Sequence, residues 1–145
     1  MEILVNIDVD DLPRGERFYC EAFGLAPGRR FGADGVELTG ANVRLYLLRK
    51  PAGSRAAGAT DQIRDYARHW TPVHMDFVVD NVDAAVARAV AAGARLEDPA
   101  TSHEWGRIAH LGDPFGHGLC VLQFTARGYD AIATPASPHD QEDRP

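Results

Sequence analysis

Cysteine is scarce in this chain: Cys20 and Cys120 are the only two among 145 residues. Two thiols do not make a disulfide framework, so both are expected to be reduced. Lysine is scarcer still, with Lys50 standing alone against fourteen arginines. The basic residues form no stripe and the formal net charge is −6, which argues against nucleic acid as the main partner. No apolar run is long enough to cross a membrane as a helix, and the N-terminus lacks the basic, apolar and small-residue order of a signal peptide. The expectation is a cytoplasmic protein with no membrane partner. Its 45% hydrophobic content is ordinary for a globular chain and suits one compact domain or two small modules sharing a core.

What the chain does have is a clear strand, turn and helix from Val73 to Ala94. The odd positions Val73, Met75, Phe77 and Val79 are apolar, while the even ones begin with His74 and Asp76. A period of two buries one face of a strand and leaves two ionisable groups on the other. Asp80 or Asn81 can cap the following helix, Gly93 can stop it, and Val82, Val86, Ala89 and Val90 form its apolar stripe.

The same pattern occurs 70 positions earlier. Leu4 falls on His74, Asn6 on Asp76, Ile7 on Phe77 and Asp11 on Asn81. Asp11 is a good N-cap, Pro13 suits the first turn, Phe18 and Ala22 face inward, and Gly24 ends the first helix. This is an internal repeat. Each helix is followed by three strand-like runs, about Gly28–Phe31, Gly35–Thr39 and Asn42–Arg49, then Arg95–Ala100, Gly106–Leu111 and Gly118–Phe124. The organisation predicted is a first βαβββ module over 1–49, a linker over 50–70, a second module over 71–126, and a tail over 127–145. The linker starts flexible and ends in a helical turn around Asp61–Arg68, and the tail from Thr134 reads as disordered.

With the repeat in place, His74-Met75-Asp76-Phe77-Val78-Val79-Asp80-Asn81-Val82 and Asp113-Pro114-Phe115-Gly116-His117-Gly118 resemble the vicinal-oxygen-chelate superfamily. That group includes glyoxalase I, fosfomycin- and bleomycin-resistance proteins and extradiol dioxygenases. The resemblance covers about residues 3–125. It implies an α+β fold in which two tandem βαβββ modules form a curved mixed sheet with a concave ligand cup. It also implies homodimers, and, in metal-dependent relatives, four His or Glu ligands in the cup. Those four positions here are Leu4, Arg44, His74 and Cys120. A leucine and a guanidinium cannot coordinate a hard cation. No cofactor is therefore expected, and His74 is the only residue of metal-binding type kept from that set; Asp76 or Asp8 joining it leaves a divalent metal as the minor alternative.

By strand parity the cup face holds Asn6, Asp8, Arg44, Tyr46, His74, Asp76 and Cys120. Arg44 among Val43, Leu45 and Leu47 is expected to be buried and to need an anion: Asp76 or Asp8 in a structural ion pair, or a ligand carboxylate or phosphate. His74 is the general acid–base candidate, with Asp76 to tune it and a structural role as the rival reading. Cys120 is a nucleophile candidate or, more simply, a small buried residue. Tyr46 and Trp105 suit ligand stacking or plain core packing. Arg107 faces the cup or pairs with Asp113. His103, His110 and His117 read as solvent-facing or turn-capping.

The expected function is the binding of a small polar or anionic organic molecule in a cup without the usual metal ligands. One reading is a metal-independent isomerase or lyase with His74 as base and Arg44 steadying an enolate. The second is a non-catalytic, drug-sequestering resistance protein. A metal-dependent lactoylglutathione lyase is the third.

Overall fold

A computed structural model describes residues 1–134, and the remaining tail, including most of the segment read as disordered, lies outside the described residues. The first module runs β1 (Leu4–Val9), α1 (Leu12–Phe23), β2 (Ala26–Arg30), β3 (Gly35–Thr39) and β4 (Arg44–Arg49). The second runs β5 (Met75–Val78), α2 (Val82–Ala91), β6 (Arg95–His103), β7 (Gly106–Gly112) and β8 (Gly118–Phe124), followed by a short 3-10 turn at Gly128–Ala131. Each module is one four-stranded mixed sheet, in the orders β1-β4-β3-β2 and β5-β8-β7-β6. The architecture is the α+β pair of βαβββ modules that the repeat predicts.

The helices start and stop where the side chains allow. The Asp11 carboxylate accepts the Arg14 N–H at 3.0 Å, and Pro13 sits in the first turn, where no intrahelical donor is needed. Gly24 closes α1 at φ 68°, a left-handed conformation that costs other residues. Asn81 caps α2 by accepting from Ala84 at 2.9 Å. The buried stripe of α2 is Val82, Ala85 and Ala89, whereas Val90, expected inside, is exposed. Small residues let α2 lie close to its sheet, so Val90 turns outward.

Alternation along the strands gives each sheet a core face and an open face. On β1, Ile7 and Val9 are buried, while Asn6 and Asp8 point the other way. Leu45 and Leu47 on β4 and Val36 and Leu38 on β3 continue the core. One hydrophobic core spans both modules, with α1 packed on α2 and Phe23 stacked on Phe77 at 3.8 Å between centroids. Fully burying one aliphatic or aromatic side chain of this kind stabilises by roughly 1.5–3 kcal/mol. A buried polar tie reinforces the joint: Tyr19 on α1 donates to Asp113 in the β7–β8 turn at 2.8 Å. Strands β1 and β5 are the inner edges of the two sheets, and no ladder joins them among the described residues.

Residues 50–70 differ from expectation. No helical turn forms at 61–68. The chain doubles back instead, with a bridge between Arg55 and Ile63, a hydrogen bond from Tyr66 to the Lys50 carbonyl at 2.7 Å, and an ion pair from Arg64 to Asp8 at 2.6 Å. Contacts to β1 and to the β7–β8 hairpin outweigh the local helical preference of Asp61–Arg68.

Candidate functional site

The open face of the second sheet brings four polar side chains into one row. Asp76 on β5 lies opposite Cys120 on β8, Cys120 lies opposite His110 on β7, and His110 lies opposite Asp98 on β6. His74 immediately precedes β5 and shares the face of Asp76 because the two are two residues apart. Its Nε2 is 3.2 Å from Asp76 Oδ1. At the other end of the row His110 Nδ1 is 3.4 Å from Asp98 Oδ2. Two imidazole–carboxylate pairs thus flank Cys120, which is only 2% exposed. Burial, with the Asp76 charge and its hydrogen bond from the thiol, pushes Cys120 up to about 12. The thiolate needed for nucleophilic attack is therefore disfavoured.

Two recesses meet at His74. The first, of about 480 Å³, is lined by Trp70, Thr71, Pro72, His74, Asp98, His110 and Cys120. The second, of about 620 Å³, lies along the joint between β1 and β5 and includes Asn6, Asp8, His69, His74 and His117. Asn6 and Asp8 thus reach a cavity with His74. The Asp8 carboxylate is already engaged by Arg64, and His117 Nε2 lies 2.8 Å from the Asp8 carbonyl oxygen. His117 and His110 therefore each line a recess, His110 with 36% of its side chain still exposed to solvent.

Other expectations need correction. Arg44 is not buried: its side chain is 54% exposed, 3.6 Å from Glu2 and 4.0 Å from Glu37. It sits at the first residue of β4, an inner strand between β1 and β3, on the open face at the sheet's end, and it lines neither recess. Two carboxylates already answer its charge, and neither is Asp76 or Asp8. Tyr46 donates to Glu37 at 3.0 Å and accepts from Arg29 at 3.1 Å, in a network on the open face of the first sheet. The Arg29 hydrogen bond holds the Glu37 carboxyl down at about 2. Arg107 pairs with Asp83 at 2.6 Å, not with Asp113, whose carboxylate is taken by Tyr19 and by the Phe115 and His117 N–H groups. Trp105 stacks on His103 at 5.1 Å and meets Phe124 and Tyr129 at the far end of β8. It lines neither recess.

Glu37, Trp70, Asp98 and His110 escaped sequence reasoning. Glu37 between Val36 and Leu38, and His110 between Ala109 and Leu111, carry the same alternation signal as His74. Trp70 lay in a segment without periodicity, so no local signal marked it.

The metal that this fold implies in some relatives can be tested against the donors present. Leu4 and Arg44 supply none. His74, Asp76 and Cys120 bring one N, one O and one S atom within 4.8 Å of one another, and these are the residues that could hold a thiophilic ion such as zinc. A hard cation requiring several oxygen donors does not fit this set.

Comparison with known proteins agrees with the geometry. A family model described as a glyoxalase-like domain matches residues 4–122. The anthracycline biosynthesis protein DauV of Streptomyces sp. (strain C5) is 34% identical over 137 residues, covering 92% of this chain and 44% of its own. The anthracycline biosynthesis protein DnrV of Streptomyces peucetius is 33% identical over 134 residues, with the same coverage of 92% and 44%. The chain thus spans less than half the length of these curated relatives. Among solved structures, a glyoxalase-related enzyme from Fulvimarina pelagi superposes with a TM-score of 0.68 at 21% identity, covering 85% of this chain and 87% of its own. That likeness concerns the fold alone.

Proposed function

The chain belongs to the glyoxalase-like domain family, within the vicinal-oxygen-chelate superfamily, and from that premise we propose that it binds a small polar organic molecule at the two recesses meeting at His74 and moves a proton next to a carbonyl without a metal. The observation that carries this reading is the 3.2 Å contact from Asp76 to His74, the imidazole that lines both recesses. With Asp76 accepting from Nε2–H, Nδ1 is left with the lone pair that a general base needs. The carboxylate then stabilises the imidazolium as the proton arrives. Arg44, between Glu2 and Glu37, is poorly placed to steady an enolate. The names of the two curated relatives support a setting in the biosynthesis or handling of an anthracycline-type product.

The test is proton exchange into a bound ketone, followed by NMR in deuterated buffer. His74→Gln is expected to keep binding within a few-fold and to slow exchange about 10²–10⁴-fold. Unchanged exchange in that variant would place the base elsewhere. A protein that binds tightly but never exchanges supports the second reading, sequestration, which the protonated state of Cys120 and the absence of a cation near His74 among the recess-lining residues also suit. Stoichiometric zinc, nickel, iron or manganese whose removal abolishes activity would overturn the metal-free mechanism.

A homodimer in the cytoplasm completes the proposal. Leu4, Val73 and Val78 are 48%, 85% and 59% exposed beside the joint between the sheets, an apolar surface that a second copy would cover. Sedimentation analysis showing a monomer at micromolar concentration would remove that part.

A further inference from the structure

The segment from Tyr66 to Trp70 lies across the β7–β8 hairpin, and the hairpin has glycine where the segment touches it. A Cβ at Gly118 would fall 2.5 Å from the Trp70 indole, and one at Gly112 would fall 2.8 Å from Arg68 Nε. One at Gly116 would collide with the Ala67 carbonyl. Gly112 and Gly118 are cross-strand partners, so bare backbone forms a notch for Arg68 and Trp70. Over the notch the Arg68 guanidinium lies 4.7 Å from the indole centroid and is paired with Glu97. Glu97 also accepts the indole N–H at 3.2 Å. The indole is fixed by backbone, cation and carboxylate together.

Yet Trp70 remains 45% exposed and borders the smaller recess. Its ring centroid is 5.8 Å from those of both His74 and His110, at interplanar angles of 85° and 78°. The Arg68 guanidinium lies over the ring, and it is the part left uncovered, beside His74 and His110, that the firmly held indole offers to a flat partner. The imidazoles beside it can donate to or accept from oxygen atoms on that partner's rim. Asp76 and Asp98 behind them disfavour a carboxylate or phosphate in the same place. A neutral, oxygenated ring satisfies all three conditions.

We propose that Trp70 is the stacking residue of the ligand site, and that it meets a planar aromatic ring bearing hydroxyl or carbonyl oxygens hydrogen-bonded by His74 and His110. This rests on the binding role proposed above and adds the ligand class. Gly118 and the Arg68–Glu97 pair are positioning residues that act through the indole.

The probe is 1,8-dihydroxyanthraquinone, titrated into the full chain by calorimetry and by quenching of indole fluorescence. Wild-type protein is expected to bind with quenching that disappears in Trp70→Phe and persists in Trp105→Phe. Trp70→Ala and Gly118→Ala are each expected to weaken binding about tenfold while circular dichroism stays unchanged. Should Gly118→Ala fail to fold, Trp70→Ala and Trp70→Phe carry the test. Binding of undiminished affinity in Trp70→Ala, or quenching that follows Trp105, overturns the proposal. Binding of succinate but not of the anthraquinone, with His74→Gln still impairing exchange, overturns the ligand class and leaves the binding role standing. If neither probe binds, both proposals fall.

Discussion

Asp113 is the residue whose loss the fold should feel most. It is 6% exposed and accepts three hydrogen bonds: from the Tyr19 hydroxyl, the Phe115 N–H and the His117 N–H, each at 2.8 Å. Tyr19 is fully buried, and burial together with the Asp113 charge holds its phenol well above the usual range. In Asp113→Ala all three donors lose their acceptor, and each buried unsatisfied donor costs about 1–3 kcal/mol. Water can reach part of the turn, which brings the expected loss to about 3–5 kcal/mol, a large share of the 5–15 kcal/mol typical of a domain. Tyr19→Phe removes a single donor, and the carboxylate keeps its two N–H partners, so that change should cost about 1–2 kcal/mol. In the double variant the hydroxyl no longer has a partner to lose, so the two effects should fail to add by about 1–3 kcal/mol. Equilibrium urea unfolding at neutral pH, followed by circular dichroism and by fluorescence, measures all three. Because the pair ties α1 to the second module, both signals should move together. A loss below about 1 kcal/mol for Asp113→Ala, or strict additivity, would refute the reasoning.

The remaining predictions concern charge, thiol chemistry and backbone. Glu37 is lowered from 4.5 to about 2 by Arg29, so its contribution to stability is present above pH 4.5 and lost as pH falls towards 2. Thermal melts across that window should flatten in Glu37→Gln; an unchanged acid limb would rule the linkage out. Cys120, raised to about 12, should resist iodoacetamide in the native protein at about pH 8 and react once unfolded. Rapid native labelling of Cys120, read by peptide mass, contradicts that. Gly24→Ala meets no atom within 4 Å, so its expected cost of about 1 kcal/mol comes from φ 68° alone. An unchanged urea midpoint would mean that the helix end rearranges. Arg107→Ala should change stability by less than about 1 kcal/mol, because Arg107 and Asp83 form an exposed pair.

How much of this could be read from the sequence depended on what the signal was made of. The modules were legible because alternation and helix caps are local: Ile7 and Val9 against Asn6 and Asp8, and Asp11 and Asn81 before their helices. The pairing of His74 with Asp76 followed from the same alternation. Arg44 failed because parity gives the side of a sheet and says nothing about cover; at the start of β4 that side is open to water. Arg44 and Cys120 both stood among the four ligand positions that the resemblance implied, yet they are not equivalent: pairing sets Leu4 opposite Arg44 and Asp76 opposite Cys120, so the strand equivalent of Cys120 is Tyr46. Arg107 failed because its partner Asp83 is on α2, a choice made in three dimensions. The connecting segment was read as passive because no periodicity marks it. Its fit to Gly112, Gly116 and Gly118 exists only once the hairpin has folded.

The unbonded edges of β1 and β5 bear on how the protein could receive a guest. Along that line the halves are held by side chains: Phe23 on Phe77, Tyr19 to Asp113, and His117 against the Asp8 carbonyl. Van der Waals contacts give way gradually, whereas a strand ladder must break bond by bond. Those contacts nonetheless belong to one core that spans both modules, so the joint opens no further than that packing allows, and a guest is received by the recesses beside β1 and β5 as they stand.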